Sequence, residues 1–200
     1  MDKIIWGIDP GSSICGICEL KSGLIGNVFD EQPNSVYKRI MSLCGPNSVT
    51  VVIEDVFPFS NRLTPDVIDT CKLIGELTYR FNTTENVSVH LVPRNSVRNW
   101  IFKTVPDVVI PRVIERMEYL DKQKIKHGKK SLRDKEGKLY DPHFRYVDDR
   151  IIIAALKKLY NIPTPKPGKS NIYGLKGHNF QALAVAAYFA HIGKNTNEKQ

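Results

Sequence analysis

Short apolar runs bounded by turn residues open the chain and predict β-strands. Three such runs occupy residues 3–9, 14–20 and 24–29, separated by the turn signals PGSS and KSG. Their close spacing predicts an antiparallel meander. A continuous β-branched run at 48–56, SVTVVIEDV, is typical of a strand buried on both faces. The run NVSVHLVP at 86–93 predicts a fifth strand.

Helical spacing of apolar residues predicts the remaining elements. One helix is expected in 33–45, with Asn34 as its N-cap and Gly45 as its stop. A long helix is expected to follow Thr64 as its cap, with Pro65 in the first helical position. Four more helices are predicted, at 96–102, 109–126, 148–160 and from 177 onward. The order predicts one α/β domain over residues 1–200, in which a mixed five-stranded sheet is flanked by helices.

The positive charges are concentrated in two segments of the chain. The formal net charge is +8. The segment 121–147, irregular from 127 onward, holds nine Lys or Arg residues against four acids, and 157–176 adds five lysines without an acid. Segments of this density indicate a polyanionic partner, nucleic acid first, although a solvated basic surface is the alternative. We therefore predict a basic insertion at about 121–147.

Membrane and disulfide signals are weak. No apolar run approaches the roughly 18 residues that a membrane-spanning helix needs, and the first residues form no signal-peptide pattern. We expect a cytoplasmic protein with no membrane partner. Cys15 and Cys18 form a C-x-x-C within a predicted strand. Because side chains alternate along a strand, the two thiols are predicted to lie on opposite faces as free, buried groups.

Two acids stand where predicted strands end. Asp9 follows the first strand and precedes Pro10, and Glu54 lies near the end of the buried fourth strand. Carboxylates brought together at strand ends repel each other, and a bound Mg²⁺ or Mn²⁺ removes that cost. Two such ions would suit phosphodiester hydrolysis. The alternative for Asp9 is a turn former, and for Glu54 a strand-end charge.

Three motifs resemble those of the RuvC family of Holliday junction resolvases. The stretch IIWGIDPGSSICGICEL resembles the first motif, in which G-I-D-P-G-S carries a catalytic Asp, here Asp9. VVIEDVFPF resembles the second, with Glu54 followed three residues later by an aromatic residue, here Phe57. GHNFQALAVAAYF, beginning at Gly177, resembles the last, with His178 at a position where some members use His. The resemblance covers most of the chain and is weakest from about 103 to 147.

The resemblance implies an RNase H-like fold and a metal-dependent nuclease that cuts four-way DNA junctions. It implies a catalytic set of Asp9, Glu54, His178 and Gln181 and two metal ions per site, held by Asp9, Glu54 and His178. It further implies a homodimer, since two symmetric strands require two sites related by a twofold axis. The divergence of the sequence suggests a phage-type member, working in a bacterial or host cytoplasm.

Gln181 departs from the family pattern. It stands where the fourth carboxylate is expected, and its carbonyl would ligate a metal without charge. Asp148 and Asp149 are the candidate replacements, and we include Asp149 among the predicted metal ligands. Both also precede RIIIAAL, where capping of a helix N-terminus is the alternative role. For His178 the alternative is a polar residue at the start of a helix.

DNA contacts are expected outside the acidic site. Two aromatic residues beside Glu54 suit stacking on an unpaired base, and basic residues suit phosphates. The predicted contacts are Phe57, Phe59, Arg94, Arg98, Lys129, Lys130 and Arg133. For the two phenylalanines the alternative is core or interface packing.

Three other functions remain as alternatives. Gln181 raises the possibility of a junction-binding protein that does not cleave. A nuclease acting on flaps, Y-junctions or RNA–DNA hybrids cannot be separated by sequence from a junction resolvase. The G-I-D-x-G-S turn also resembles the phosphate-binding turn of actin-like ATPases, but 200 residues leave no room for their second lobe. We therefore predict no nucleotide cofactor.

Overall fold

The computed structural model describes residues 4–45, 47–56, 64–163 and 174–197, the last four as backbone only. Its centre is a five-stranded sheet. The strands are β1 (Ile4–Asp9), β2 (Cys15–Lys21), β3 (Leu24–Glu31), β4 (Val49–Asp55) and β5 (Val87–Pro93). They lie in the order β3-β2-β1-β4-β5.

The sheet is mixed, as predicted. β1, β2 and β3 pair antiparallel, so the predicted meander is confirmed. β4 pairs parallel to β1 and β5 pairs parallel to β4. Consequently the carboxyl ends of β1, β4 and β5 meet at one edge of the sheet, which is where α/β proteins commonly place their sites.

Six α-helices accompany the sheet in the described residues. They are α1 (Val36–Cys44), α2 (Pro65–Asn82), α3 (Arg94–Thr104), α4 (Pro106–Lys126), α5 (Asp149–Leu159) and α6 (Gly177–Asn197). Thr64 caps α2 as predicted, since its side chain accepts a hydrogen bond from Val67 N. The C-terminal stop at Gly45 is also confirmed, with φ of 57°.

The prediction that Asn34 caps the first helix is wrong. Pro33–Ser35 form a short 3-10 helix, and Ser35 occupies the N-cap position of α1 without a side-chain cap bond. Pro33 favours a helical turn at once. Asn34 therefore lies inside the 3-10 turn, and Ser35 rather than Asn34 stands at the boundary of α1.

Different helices cover the two faces of the sheet. Trp6, Ile8 and Ile53 point to one face and pack in a core with Ile40 of α1 and Leu77 of α2. On the other face α6 packs on β1 and β2. Contact there is so close that a Cβ added to Gly7 would lie 2.0 Å from the backbone oxygen of Ala182. Glycine therefore sets the distance between strand and helix.

The chain forms two compact units, Met1–Val97 with Pro163–Gln200, and Arg98–Ile162. The sheet, α1, α2 and α6 belong to the first unit, and α4 and α5 belong to the second. The single domain with a basic insertion stays a prediction, because compactness alone does not establish independent folding. The described residues contain no helix that is long and apolar enough to cross a membrane.

The basic segment after α4 is anchored by a buried carboxylate. Asp121 accepts hydrogen bonds from Ser131 Oγ (2.7 Å), Leu132 N (2.7 Å) and Arg133 Nε (3.0 Å). These partners, with the Ser131 hydroxyl contributing most, hold the pKa of Asp121 below its usual value. A turn closed by Asp134 follows, so the segment that looked irregular in sequence has a defined local structure.

The cysteine prediction is confirmed. All four cysteines are free, and Cys15 packs in the α1 and α2 core, whereas Cys18 alternates onto the opposite face. Burial raises the pKa of Cys18 to about 12 and that of Cys44 to about 11.

We expect the native protein to expose Cys71 alone to rapid labelling by a thiol reagent at pH 8. Cys18 and Cys44 remain protonated there, since their pKa values lie far above that pH. Because these pKa values are raised in the folded state, both groups stabilise the fold below pH 9 and lose that contribution as the pH approaches 11 to 12. Mass spectrometry of labelled peptides measures the order in which the cysteines react. Labelling of Cys18 as fast as Cys71 would contradict the burial.

Candidate active site

Asp9 and Glu54 occupy matching positions at the ends of adjacent parallel strands. The register pairs Ile8 with Ile53, and the two acids are the next residues. Because Ile8 and Ile53 point into the α1 and α2 core and side chains alternate, both carboxylates face the side covered by α6. Both are buried, and Glu54 is only 2% exposed. The sheet therefore brings the two predicted acids to one place.

His178 joins Asp9 directly. Its Nδ1 lies 2.7 Å from Oδ2 of Asp9. Gly16, the strand partner of Asp9, permits this approach, because a Cβ there would lie 2.3 Å from the carbonyl carbon of His178. Asp9 holds the imidazole through Nδ1, which leaves Nε2 as its other polar atom. The side chain is 55% exposed, so the ring reaches the surface from a buried anchor.

Asn179 fixes the start of α6 against the sheet. Its Nδ2 donates to Phe29 O (2.9 Å) and to Asp30 Oδ1 (2.8 Å). Its Oδ1 accepts a hydrogen bond from Lys176 N at 3.2 Å, the backward reach of a capping box. Sequence reasoning missed this residue. An Asn at the third helical position was the one signal in the sequence, but its partners on β3 lie about 150 residues away.

Gln181 lies one turn after His178 on the same face of α6. It is 5% exposed, and its Nε2 has no hydrogen-bond acceptor among the described residues. A buried donor left unsatisfied costs about 1–3 kcal/mol, so such a group often marks a place completed by water or a ligand. The structure thus places a neutral amide, with an unused donor, one turn from His178.

Arg94 lies beside Glu54. Its Nε is 3.7 Å from Oε1 of that carboxylate. The topology explains the contact: Glu54 pairs with Val92 near the end of β5, and α3 begins two residues later at Arg94. A nearby guanidinium offsets the cost of burying a carboxylate. Arg94, predicted as a DNA contact, therefore has a position in the acidic site, and its phosphate contact stays a prediction.

The donors in this site suit a hard divalent cation. The two buried carboxylates are the oxygen ligands that Mg²⁺ or Mn²⁺ prefers, whereas an imidazole is a softer nitrogen ligand. In the part of the chain that the structure describes, no group of three or more His, Cys, Asp or Glu side chains is arranged to hold a metal ion. In this arrangement the cations beside the carboxylates are side chains: Arg94 faces Glu54, and His178, when protonated, faces Asp9. The two carboxylates fit such a metal.

The second unit contains several other predicted residues. Asp148 caps α5 by accepting from Ile151 N at 3.1 Å, which confirms the capping interpretation, and it also pairs with Arg116 at 2.5 Å. Asp149 is the first residue of α5. Its metal role stays a prediction, as do DNA contacts by Arg98, Lys129 and Lys130.

The remaining predicted DNA contacts are Arg133, Phe57 and Phe59. Arg133 bonds Asp121 and donates from Nη1 to Gly137 O at 2.9 Å, so it has a structural role within its loop. Its phosphate contact stays a prediction. Phe57 and Phe59 lie outside the described residues.

The chain has an RNase H-like α/β fold. It is similar to the structure of RuvC from Thermus thermophilus, with a TM-score of 0.50 and 13% identity over 95% of this chain and 96% of that one. The resemblance seen in the motifs is thus confirmed at the level of the fold.

Two further structures show weaker likeness. T. thermophilus RuvC in complex with a Holliday junction substrate aligns with a TM-score of 0.48 and 14% identity over 96% of each chain. A mutant nuclease domain of the large terminase subunit of bacterial virus Sf6, with manganese, aligns at 0.39 and 10% identity, over 92% of this chain and 88% of that one. Neither the family models nor the curated proteins compared with the sequence match it.

Proposed function

We propose that the protein is a metal-dependent endonuclease that cleaves branched DNA, with the four-way junction as its main substrate. One observation carries the proposal: Asp9 and Glu54 are buried side by side in strand register, and His178 bonds Asp9 at 2.7 Å. Burying two carboxylates at neighbouring strand ends is costly unless cations join them. A catalytic metal site would explain why the two carboxylates are buried side by side.

Each residue has a role in this proposal. Asp9 and Glu54 would hold the ions, two per site, and Asp9 would also orient the His178 ring. His178 would offer Nε2, the ring nitrogen not engaged by Asp9. The bound ions would supply an activated water and stabilise the charge that develops on the phosphodiester. Gln181 would contribute a neutral amide, which makes the site poorer in negative charge than one built from four acids.

DNA recognition and assembly belong to the same proposal. The net charge of +8 favours a polyanionic substrate. Arg94 lies beside Glu54, where it would contact a phosphate bound at the ions. Two sites related by a twofold axis suit a junction, which has pairs of equivalent strands, so we propose a homodimer.

A junction-binding protein without nuclease activity is the second candidate. The observation that favours it is the neutral, buried Gln181, combined with Arg94 as a cation beside Glu54. Both candidates predict DNA affinity that falls steeply with salt. Only the nuclease predicts DNA nicks that require a divalent metal.

The experiment incubates purified protein with a labelled four-way junction and with a linear duplex of the same sequence, each in Mg²⁺, Mn²⁺ or EDTA. We expect cuts in the junction with either metal, none with EDTA, and an intact duplex. Equal cutting of both substrates would refute junction selectivity. Salt-sensitive binding without any metal-dependent cutting would replace the nuclease with the second candidate.

Gln181→Asp is expected to lower the Mg²⁺ concentration needed for half-maximal cleavage, by about tenfold. The substitution adds a negative charge one turn from His178, and a nearby opposite charge strengthens binding of a cation by roughly 1–2 kcal/mol. A Mg²⁺ titration of the cleavage rate measures the shift. Gln181→Asn, which has the size of the aspartate variant without its charge, is the control. Identical titrations for the two variants would show that the charge at this position does not affect metal binding.

A further inference from the structure

A polar cleft in the second unit lies apart in sequence from the acidic site. Its volume is about 700 Å³, and it is formed by one face of α4 and the start of α5. Six of its lining residues are charged or aromatic. They are Arg112, Glu115, Arg116, Tyr119, Asp148 and Arg150. Three arginines in one cleft indicate an anionic ligand, because guanidinium groups match phosphate geometry.

The residues from α4 belong to a longer stripe. Positions three or four apart share one face of a helix. The α4 stripe consists of Arg112, Arg116, Tyr119, Lys122 and Lys126, and one acid, Glu115, lies on the same face. At 1.5 Å per residue it extends for about 21 Å, enough for several consecutive phosphates. The opposite face of α4 carries the buried Val109, Val113, Met117 and Asp121, so the stripe lies on the exposed side of the helix.

Charges within the cleft leave two arginines for a ligand. The charge of Asp148 is offset by Arg116, and its carboxylate also caps α5. Arg112 uses Nη1 to bond Val108 O of its own helix, at 3.0 Å. Arg150 is exposed and has no acidic partner among the described residues. Glu115 is the second acid that lines the cleft, and it takes no part in the pairing of Asp148 with Arg116.

Tyr119 makes the cleft more specific than a basic patch. It projects from α4 between the basic residues and is 59% exposed, so its ring is accessible to a ligand. A ring interleaved with cations is the arrangement that binds unpaired nucleotides, in which bases stack while phosphates meet the charges.

We propose that this cleft and the α4 stripe bind an unpaired DNA strand. Phosphates contact Arg112 and Arg150, and a base stacks on Tyr119. The choice of DNA rests on the proposed function, since flaps and Y-junctions carry unpaired strands and the base pairs at a four-way branch point open more readily than those within an arm. The cleft adds a strand-binding surface that uses none of the residues assigned to the acidic site.

The test measures binding of a fluorescent single-stranded oligonucleotide by anisotropy, in EDTA and at several salt concentrations. The double variant Arg112→Gln with Arg150→Gln is expected to weaken binding and to reduce the salt slope by about 0.7 for each phosphate that is no longer neutralised. Tyr119→Leu is expected to weaken single-strand binding about fivefold or more and to leave duplex binding nearly unchanged. Glu115→Gln is expected to tighten binding, a gain that a misfolded protein cannot produce.

Lys72→Gln is the matched control, since it removes one exposed positive charge from α2 in the first unit. It is expected to bind like the wild type. Wild-type affinity and salt slope in the arginine variant, or equal effects of Tyr119→Leu on single strands and duplex, would overturn the proposal. Because binding is measured without metal, weaker binding by these variants supports the cleft even if no cleavage is found. Cleavage with unchanged binding refutes the cleft and leaves the nuclease intact.

Discussion

Replacing Asp9 with asparagine is expected to abolish metal-dependent cleavage while preserving junction binding. Asn keeps the size of the side chain and removes its charge. The variant therefore lacks the carboxylate that would hold an ion and that orients His178 at 2.7 Å. Removal of one such group typically reduces the rate on the order of a thousandfold. Single-turnover cleavage in Mg²⁺ and junction binding in EDTA measure the two effects separately.

Asp55→Asn is the matched control for this prediction. Asp55 ends β4 immediately after Glu54, and alternation along the strand points it to the opposite face. It removes the same charge at the same edge of the sheet, and we expect nearly wild-type cleavage. If Asp9→Asn cleaves at the wild-type rate, the site is wrongly placed. If both variants lose activity equally, the effect is one of general charge.

Gly7→Ala is expected to destabilise the protein by about 3 kcal/mol. The added methyl carbon would lie 2.0 Å from the carbonyl oxygen of Ala182 and 2.9 Å from the Cβ of Ala186, so α6 must move away from β1. Overpacking of a well-packed interior costs about 1–3 kcal/mol, and here the obstacle is backbone, which yields least. Urea denaturation followed by circular dichroism measures the free energy of unfolding.

Gly75→Ala makes the same chemical change where there is space. Gly75 lies in the interior of α2, and nothing in the described structure stands within 4 Å of its added Cβ. Alanine favours a helix over glycine, so this variant is expected to gain about 0.5–1 kcal/mol. Opposite signs for the two variants would support the close helix contact at Gly7. A destabilisation at Gly7 no larger than about a few tenths of a kcal/mol would contradict it.

The strands and most helices were predictable because their signals are local. Apolar runs between turn signals placed β1 to β3, the β-branched run placed β4, and Thr64 with Pro65 placed the start of α2. The boundary at Asn34 was missed because Pro33 began a 3-10 turn earlier. The order in the basic segment was also missed, since it depends on Asp121, which lies ten residues before its partner Ser131.

The acidic site was predicted as a set of residues but not as a network. Position at strand ends was enough to select Asp9 and Glu54, and their register was a consequence of the parallel pairing. The bond from His178 to Asp9 spans 169 residues, and the approach of Arg94 to Glu54 depends on where α3 starts. Such contacts arise from tertiary packing, which local patterns do not encode.

The glycine contacts between the sheet and α6 also bear on how such a chain changes over evolutionary time. At Gly7 and Gly16 the strands meet the helix backbone directly, so their spacing depends on the absence of a side chain at two positions. Surrounding positions need only remain apolar and of suitable volume, because cores tolerate such exchanges. Most of the sequence can then change by drift while α6 keeps its contact with the strands. Two small positions thus offer a physical route by which a fold tolerates extensive change in sequence.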